Sequence, residues 1–150
     1  MAAISIINNG EAMSSVRSKL NNVITEINLL DPTDWVDYSV TSTVVGWSSF
    51  TTKIIRYRVI GKQVCVQYQL QGTSNSATTT FTLPNTSINI EVNQNNITVD
   101  NGVVSLGLLQ VPNNSNSCVL QKWTSINSVT PTFTASGSKV AKGQFFYEIA

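Results

Sequence analysis

Lys53-Ile54-Ile55-Arg56-Tyr57-Arg58-Val59-Ile60-Gly61-Lys62-Gln63-Val64-Cys65-Val66-Gln67-Tyr68-Gln69-Leu70-Gln71 is the stretch on which the fold turns. It holds two runs that alternate with period two. In the first, Ile55, Tyr57 and Val59 share one face and Arg56 and Arg58 the other. In the second, Val64, Val66, Tyr68 and Leu70 point inward, while Gln63, Cys65, Gln67, Gln69 and Gln71 point outward. A two-residue period belongs to half-buried strands. Gly61-Lys62 joins the runs with Gly first, the order that a type II′ hairpin turn requires. The segment is therefore expected to be an antiparallel β-hairpin.

The same pattern extends outward. Strands are expected over residues 38–45, 78–83 (closed by Pro84) and 87–92, where Ile88, Ile90 and Val92 alternate. Further strands are expected over 97–100 and 103–109, on either side of the turn Asp100-Asn101-Gly102. Residues 119–123, 132–135 and 144–149 complete the set, the last with Phe145, Tyr147 and Ile149 on one side. Many short strands joined by Gly, Asn and Ser turns predict a β-sandwich or jelly-roll-like head over 32–150.

Upstream the period changes. Met13, Val16, Leu20, Val23, Ile27 and Leu30 are spaced 3, 4, 3, 4, 3, a heptad seam, and Ile24 and Leu29 widen it. Asn9 is placed to cap such a helix, Glu11 suits the positive end of its dipole, and Asp31-Pro32 stops it. The segment 11–31 is expected to be a helical rod about 27 Å long. An amphipathic helix can lie on its own domain or pair with copies of itself. The regularity of the seam favours self-association, and its mixture of Met, Val, Leu and Ile fits a trimer at least as well as a dimer. Ahead of the helix, 1–10 reads as a short extended arm, Ile4 and Ile6 around Ser5, ended by Asn8-Asn9-Gly10. The fold class is thus mainly β with one N-terminal helix.

Composition excludes several functions. The 150 residues carry a net charge of +1, only 11% are charged, and none is histidine. Near-zero net charge argues against a nucleic-acid binder held by phosphate neutralisation. The lack of histidine removes the commonest general base and metal ligand. No Gly-x-Ser-x-Gly elbow or phosphate loop is present. Glu91 and Glu148 are the one pair of carboxylates expected on strands, and nothing in the sequence brings them together as glycosidase chemistry needs. Asp31, Asp34 and Asp37 lack the ligand spacing of a calcium loop and read as capping and turn residues. No enzyme, cofactor or metal is expected. No window reaches about 18 uninterrupted apolar residues, so no membrane insertion is expected, nor a targeting leader. Cys65 and Cys118 read as packed, reduced residues. Three Asn-x-Ser/Thr sequons, at Asn85, Asn96 and Asn113, are what chance gives in a chain so rich in Asn, Ser and Thr.

The ligand candidates are few. Arg56 and Arg58, with Lys53 and Lys62, make a basic patch that either meets an acidic glycan or protects a sheet edge. Trp35, Trp47 and Trp123 either stack on sugars or fill the core or a subunit interface.

The stretch Ile7-Asn8-Asn9-Gly10-Glu11, followed by Ser15-Val16-Arg17-Ser18-Lys19-Leu20-Asn21, resembles a segment near the start of phage tail and fibre proteins. Gly46-Trp47-Ser48-Ser49-Phe50, Tyr57-Arg58-Val59-Ile60-Gly61-Lys62-Gln63-Val64, Gly72-Thr73-Ser74-Asn75-Ser76 and Phe81-Thr82-Leu83-Pro84 resemble the β-rich knob of viral fibres. So do Ala135-Ser136-Gly137 and Gly143-Gln144-Phe145-Phe146-Tyr147-Glu148-Ile149. The resemblance implies a homotrimer on the virion surface, without catalytic residues. Ile4, Ile6, Ile7, Asn8, Asn9 and Gly10 would attach it to capsid or tail proteins. Met13, Val16, Leu20, Val23, Ile27 and Leu30 would form the trimeric stalk. The short chain suits a head fibre or capsid decoration that aids adhesion. The alternative is a tail fibre that recognises host-surface glycans.

Overall fold

The computed structural model describes residues 10, 12–30, 34–123 and 132–150, without the side chains of 26 and 28–30. Helix α1 spans Met13–Leu30. Its first turn starts at Ala12, whose carbonyl accepts from Ser15 N (2.9 Å) and Val16 N (3.1 Å), so the helix opens two residues later than expected. Asn9, Glu11 and Asp31-Pro32 lie outside the described residues. Nine strands follow: β1 Val36–Asp37, β2 Val44–Val45, β3 Trp47–Ile60, β4 Gln63–Ser74, β5 Thr80–Thr82, β6 Val92–Asp100, β7 Val103–Val111, β8 Ser117–Lys122 and β9 Ser138–Glu148.

The hairpin forms as its alternation dictates. β3 and β4 pair antiparallel from Ile60↔Gln63 through Arg58↔Cys65 and Arg56↔Gln67, and Gly61 holds the turn at φ +59°. Val64, Val66, Tyr68 and Leu70 are all buried, as is Ile55 opposite Tyr68. Cys65 departs from the expectation. Assigned to the outer face by phase, it is buried, set in the sheet between Arg58 and Phe146, two half-buried long side chains.

The two packed layers of a sandwich are not what forms. All nine strands belong to one curled antiparallel sheet, in the order β1-β3-β4-β9-β6-β7-β8-β5-β2. The sheet nearly closes because β2 and β3 are one chain bent at Gly46. Before the bend the chain pairs with β5, and after it with β4. Gly46 sits at φ +103°, and a Cβ there would stand 2.7 Å from Thr78 O, so both backbone conformation and space demand glycine. Across the remaining gap Tyr38 Oη donates to Leu83 O (3.1 Å), while Thr82 N on Thr43 O (3.0 Å) extends the β2–β5 pairing. Inside the curl, Tyr68, Phe81, Phe145 and Tyr147 pack ring against ring with centroids 5.4–6.1 Å apart.

Other expected strands move for local reasons. Of residues 38–45 only β2 is strand, because Asp37 Oδ1 accepts from Ser39 N (2.8 Å) and Ser42 N donates to Tyr38 O (2.9 Å), forming a turn after β1. Residues 87–91 form no strand: Ser87 Oγ is drawn to Pro112 O (2.8 Å) and Ile90 N to Ile88 O (2.8 Å). The β6 strand starts only at Val92, so Glu91 lies just ahead of it. Residues 132–135 are likewise irregular, because Thr134 is held to Asp100 by its amide (3.0 Å) and its hydroxyl (2.9 Å). The last strand begins at Ser138, earlier than residue 144.

Candidate functional site

Helix α1 carries the first candidate surface. Its outer face satisfies hydroxyls locally, with Ser18 Oγ on Ser14 O (3.1 Å) and Thr25 Oγ1 on Asn21 O (2.8 Å). Its seam has no such partners in the single chain. Met13 is 83% exposed, Leu20 48%, Ile24 53% and Ile27 58%. Val16 and Val23 are half-buried, and the Leu30 side chain lies outside the described residues. Among the described residues no strand packs broadly on the helix. Of the expected attachment residues only Gly10 is described, exposed in a turn at φ +92°; Ile4, Ile6, Ile7, Asn8 and Asn9 fall outside.

The second surface is the outer face of β3. Register sets Val36 opposite Tyr57 and Asp37 opposite Arg56, which brings Trp35 alongside Arg58. Both guanidiniums come over that indole, with Cζ of Arg56 at 4.9 Å and of Arg58 at 5.1 Å from its centre. Arg56 donates from Nε (2.9 Å) and Nη2 (2.7 Å) to Gln67 Oε1, and Gln67 Nε2 donates to Gln144 Oε1 (2.7 Å). An amide row thus runs across three strands. Among the described residues no carboxylate pairs with either arginine, and Arg58 Nε is buried without a partner. Of the three candidate tryptophans, Trp35 is the one that meets the arginines.

The other two tryptophans that are candidate sugar platforms lie elsewhere. Trp47 is buried, its indole N–H donating to Lys139 O (3.4 Å). Trp123 is half-buried at the end of β8, its backbone N–H on Leu106 O (2.9 Å), and its indole nitrogen has no partner among the described residues. Neither joins Arg56 and Arg58.

Trp47 instead reveals a buried cation. The Lys139 ammonium has no exposed surface. It donates to Gly46 O (2.9 Å), Ser76 O (2.8 Å) and Thr79 Oγ1 (3.0 Å), and lies 4.9 Å from the Trp47 ring centre and 4.8 Å from that of Phe133. Three donors meet three acceptors, and two aromatic faces complete the shell. Nearby, buried Asp100 takes Lys122 Nζ (2.7 Å) and both Thr134 donors on Oδ2. These groups tie the far end of the head together.

Burial also sets a pH response. It pulls the Lys139 ammonium down to about 8, with Asp100 partly opposing. It pushes the Tyr68 and Tyr147 hydroxyls and the Cys118 thiol well above their ordinary values. Between pH about 8 and 10.5 the unfolded chain holds the lysine proton that the folded chain has lost, so this group adds stability as pH rises. The tyrosines and the thiol act oppositely. Folded, they keep protons that the unfolded chain sheds above 9.0 (Cys) and 10.0 (Tyr). From pH 9 to 10 the thiol and the lysine nearly cancel; above 10 the two tyrosines and the thiol act together. Urea midpoints should therefore rise from pH 8 to 9, level off towards 10 and fall steeply above 10. A midpoint that climbs through pH 11 would contradict these assignments.

Asp37 and Asp34 are exposed at the head's entry, and Asp31 is outside the described residues. Glu91 accepts from Asn93 Nδ2 (2.7 Å), while Glu148 ends β9. Among the described residues no three His, Cys, Asp or Glu side chains gather as a metal site. Within the same limits, no helix is long and apolar enough to cross a membrane. No protein-family model matches the chain, and no curated protein matches it.

Proposed function

We propose that this chain is a structural protein of a phage virion, a homotrimeric head fibre or capsid decoration. Residues 1–10 attach it to capsid or tail proteins, α1 forms a short three-stranded stalk, and the β head faces the surroundings. One observation carries the reading: the exposed seam of α1. An 18-residue helix rich in Asn, Ser and Thr is marginal in water without packing. This one gains no broad packing from its own head, so its partners are other copies. The sparsely charged, hydroxyl-rich head supports a role in display rather than catalysis. Sedimentation equilibrium at micromolar concentration tests the reading. The expected mass is three times the 16.3 kDa of one chain, and a monomer sinks the proposal.

A second reading, a tail fibre that recognises host-surface glycans, draws on the two guanidiniums gathered on Trp35 without a carboxylate.

A further inference from the structure

We infer that the outer face of β3 is a binding site for an acidic saccharide, with Arg56 as the group that takes the sugar carboxylate. The inference deepens the adhesive reading above and rests on the head being displayed to ligands. Two open clefts flank this residue. One, about 580 Å³, is lined by Gln67, Gln69, Gly143 and Gln144; the other, about 400 Å³, by Trp35, Asp37, Ser39 and Lys53. Both include Ile54 and Arg56, so the guanidinium stands at their common boundary.

The chemistry of that boundary is specific. Two of the five Arg56 N–H groups are committed to Gln67 Oε1. The remaining donors include both Nη1 hydrogens and one on Nη2, the pair of nitrogens that grips a carboxylate bidentately. Asp37, opposite in register, makes no ion pair with it among the described residues and turns Oδ1 to Ser39 N at 2.8 Å. The guanidinium is also fixed in place, clamped between Gln67 and the Trp35 ring, so little side-chain freedom is lost when a ligand binds. Arg58 adds positive charge at 5.1 Å from the same indole centre, and Lys53 adds it at the rim of the second cleft. Around the cation stand exposed Gln69 and Gln144, whose amides suit sugar hydroxyls, and Ile54, 48% exposed, which offers an apolar contact for a ring face. A carboxylate on a hydroxyl-rich ring matches this set. A neutral sugar would leave the arginine unmet, and a bare anion would leave the amides unused.

The test is titration of a galacturonic acid trisaccharide into the full chain, followed by tryptophan fluorescence and by NMR of the indole N–H signals. The fully methyl-esterified trisaccharide serves as the uncharged control. Binding of the acid with a perturbed Trp35 signal, weakening as salt rises, is the expected result. Arg56→Gln should weaken it about 10- to 100-fold, as loss of a charged hydrogen-bonding partner does. Arg17→Gln, exposed on α1 and outside both clefts, should leave it unchanged. Three results overturn the inference: equal affinity for acid and ester, an Arg56→Gln variant that binds like the parent, or no binding at millimolar ligand. Arg56 is exposed, so its variant is expected to fold, and an unchanged circular dichroism spectrum verifies that. Mass measured on the same samples separates the two readings: a trimer that ignores the acid overturns this site alone, and a monomer overturns the fibre alone.

Discussion

Leu20→Asp combined with Ile27→Asp is expected to turn trimers into monomers while the head stays folded. In the single chain these side chains are 48% and 58% exposed, so nothing in the chain's own fold depends on them. In a three-stranded stalk both are seam positions, and the double variant sets six carboxylates around one axis. Each leucine or isoleucine lost forfeits about 2 kcal/mol of burial, and each carboxylate must also be desolvated or protonated. A stalk of fewer than three heptads has no reserve against a loss of that size. Sedimentation should give 16.3 kDa, one chain, at tens of micromolar. Far-ultraviolet circular dichroism should lose the helical signal, because an isolated helix of this composition frays. The thermal transition of the β head should stay within a few degrees of the parent, since no strand packs broadly on α1. Asn21→Asp with Asn22→Asp, which adds the same charge to the outer face, should leave the mass trimeric. A double seam variant that stays trimeric would place the self-association in the head instead.

The parts of this fold that were legible in the sequence are those where local pattern and tertiary packing agree. The β3–β4 hairpin is one: alternation, turn chemistry and final register coincide from Ile60↔Gln63 onward. The helix is another, because a heptad spacing has one geometric solution. The misplaced strands share a cause. At 38–45 and 87–92, side-chain oxygens of Asp37 and Ser87 capture backbone or loop partners and stop the ladder, although hydrophobicity alternates. The single curled sheet in place of two layers depends on one bend at Gly46, and alternation carries no signal for a bend. Trp35 is a candidate sugar platform from the sequence, but its meeting with Arg56 and Arg58 depends on β1 pairing with β3, a long-range event that two residues of strand do not announce. Lys139, in contrast, was in plain view. It shares the phase of Ala141, Phe145 and Tyr147, all buried, and only the habit of placing lysine outside conceals it.

That phase makes Lys139 the residue whose loss should cost the head most. Lys139→Ala removes the cation from Gly46 O, Ser76 O and Thr79 Oγ1 together, and removes the stem between Trp47 and Phe133. Both carbonyls are backbone groups on segments that close the sheet, one at the Gly46 bend and one in the 75–79 connection between β4 and β5. An orphaned buried acceptor costs about 1–3 kcal/mol, and truncating a long buried side chain to alanine adds a cavity cost of about 2 kcal/mol or more. A total near 4 kcal/mol is a large share of the stability of a domain this size. Lys139→Met separates the two parts. It keeps most of the stem and loses the donors, so its cost should fall between those of the parent and the alanine variant. The methionine variant should also lose the lysine's share of the alkaline response, so that its urea midpoint declines from pH 9 instead of holding to 10. Urea unfolding of the three proteins at pH 7 and pH 9.5, followed by tryptophan fluorescence, measures both effects. Equal stability of parent and alanine variant would mean that the ammonium's desolvation cancels everything its three hydrogen bonds and two rings return.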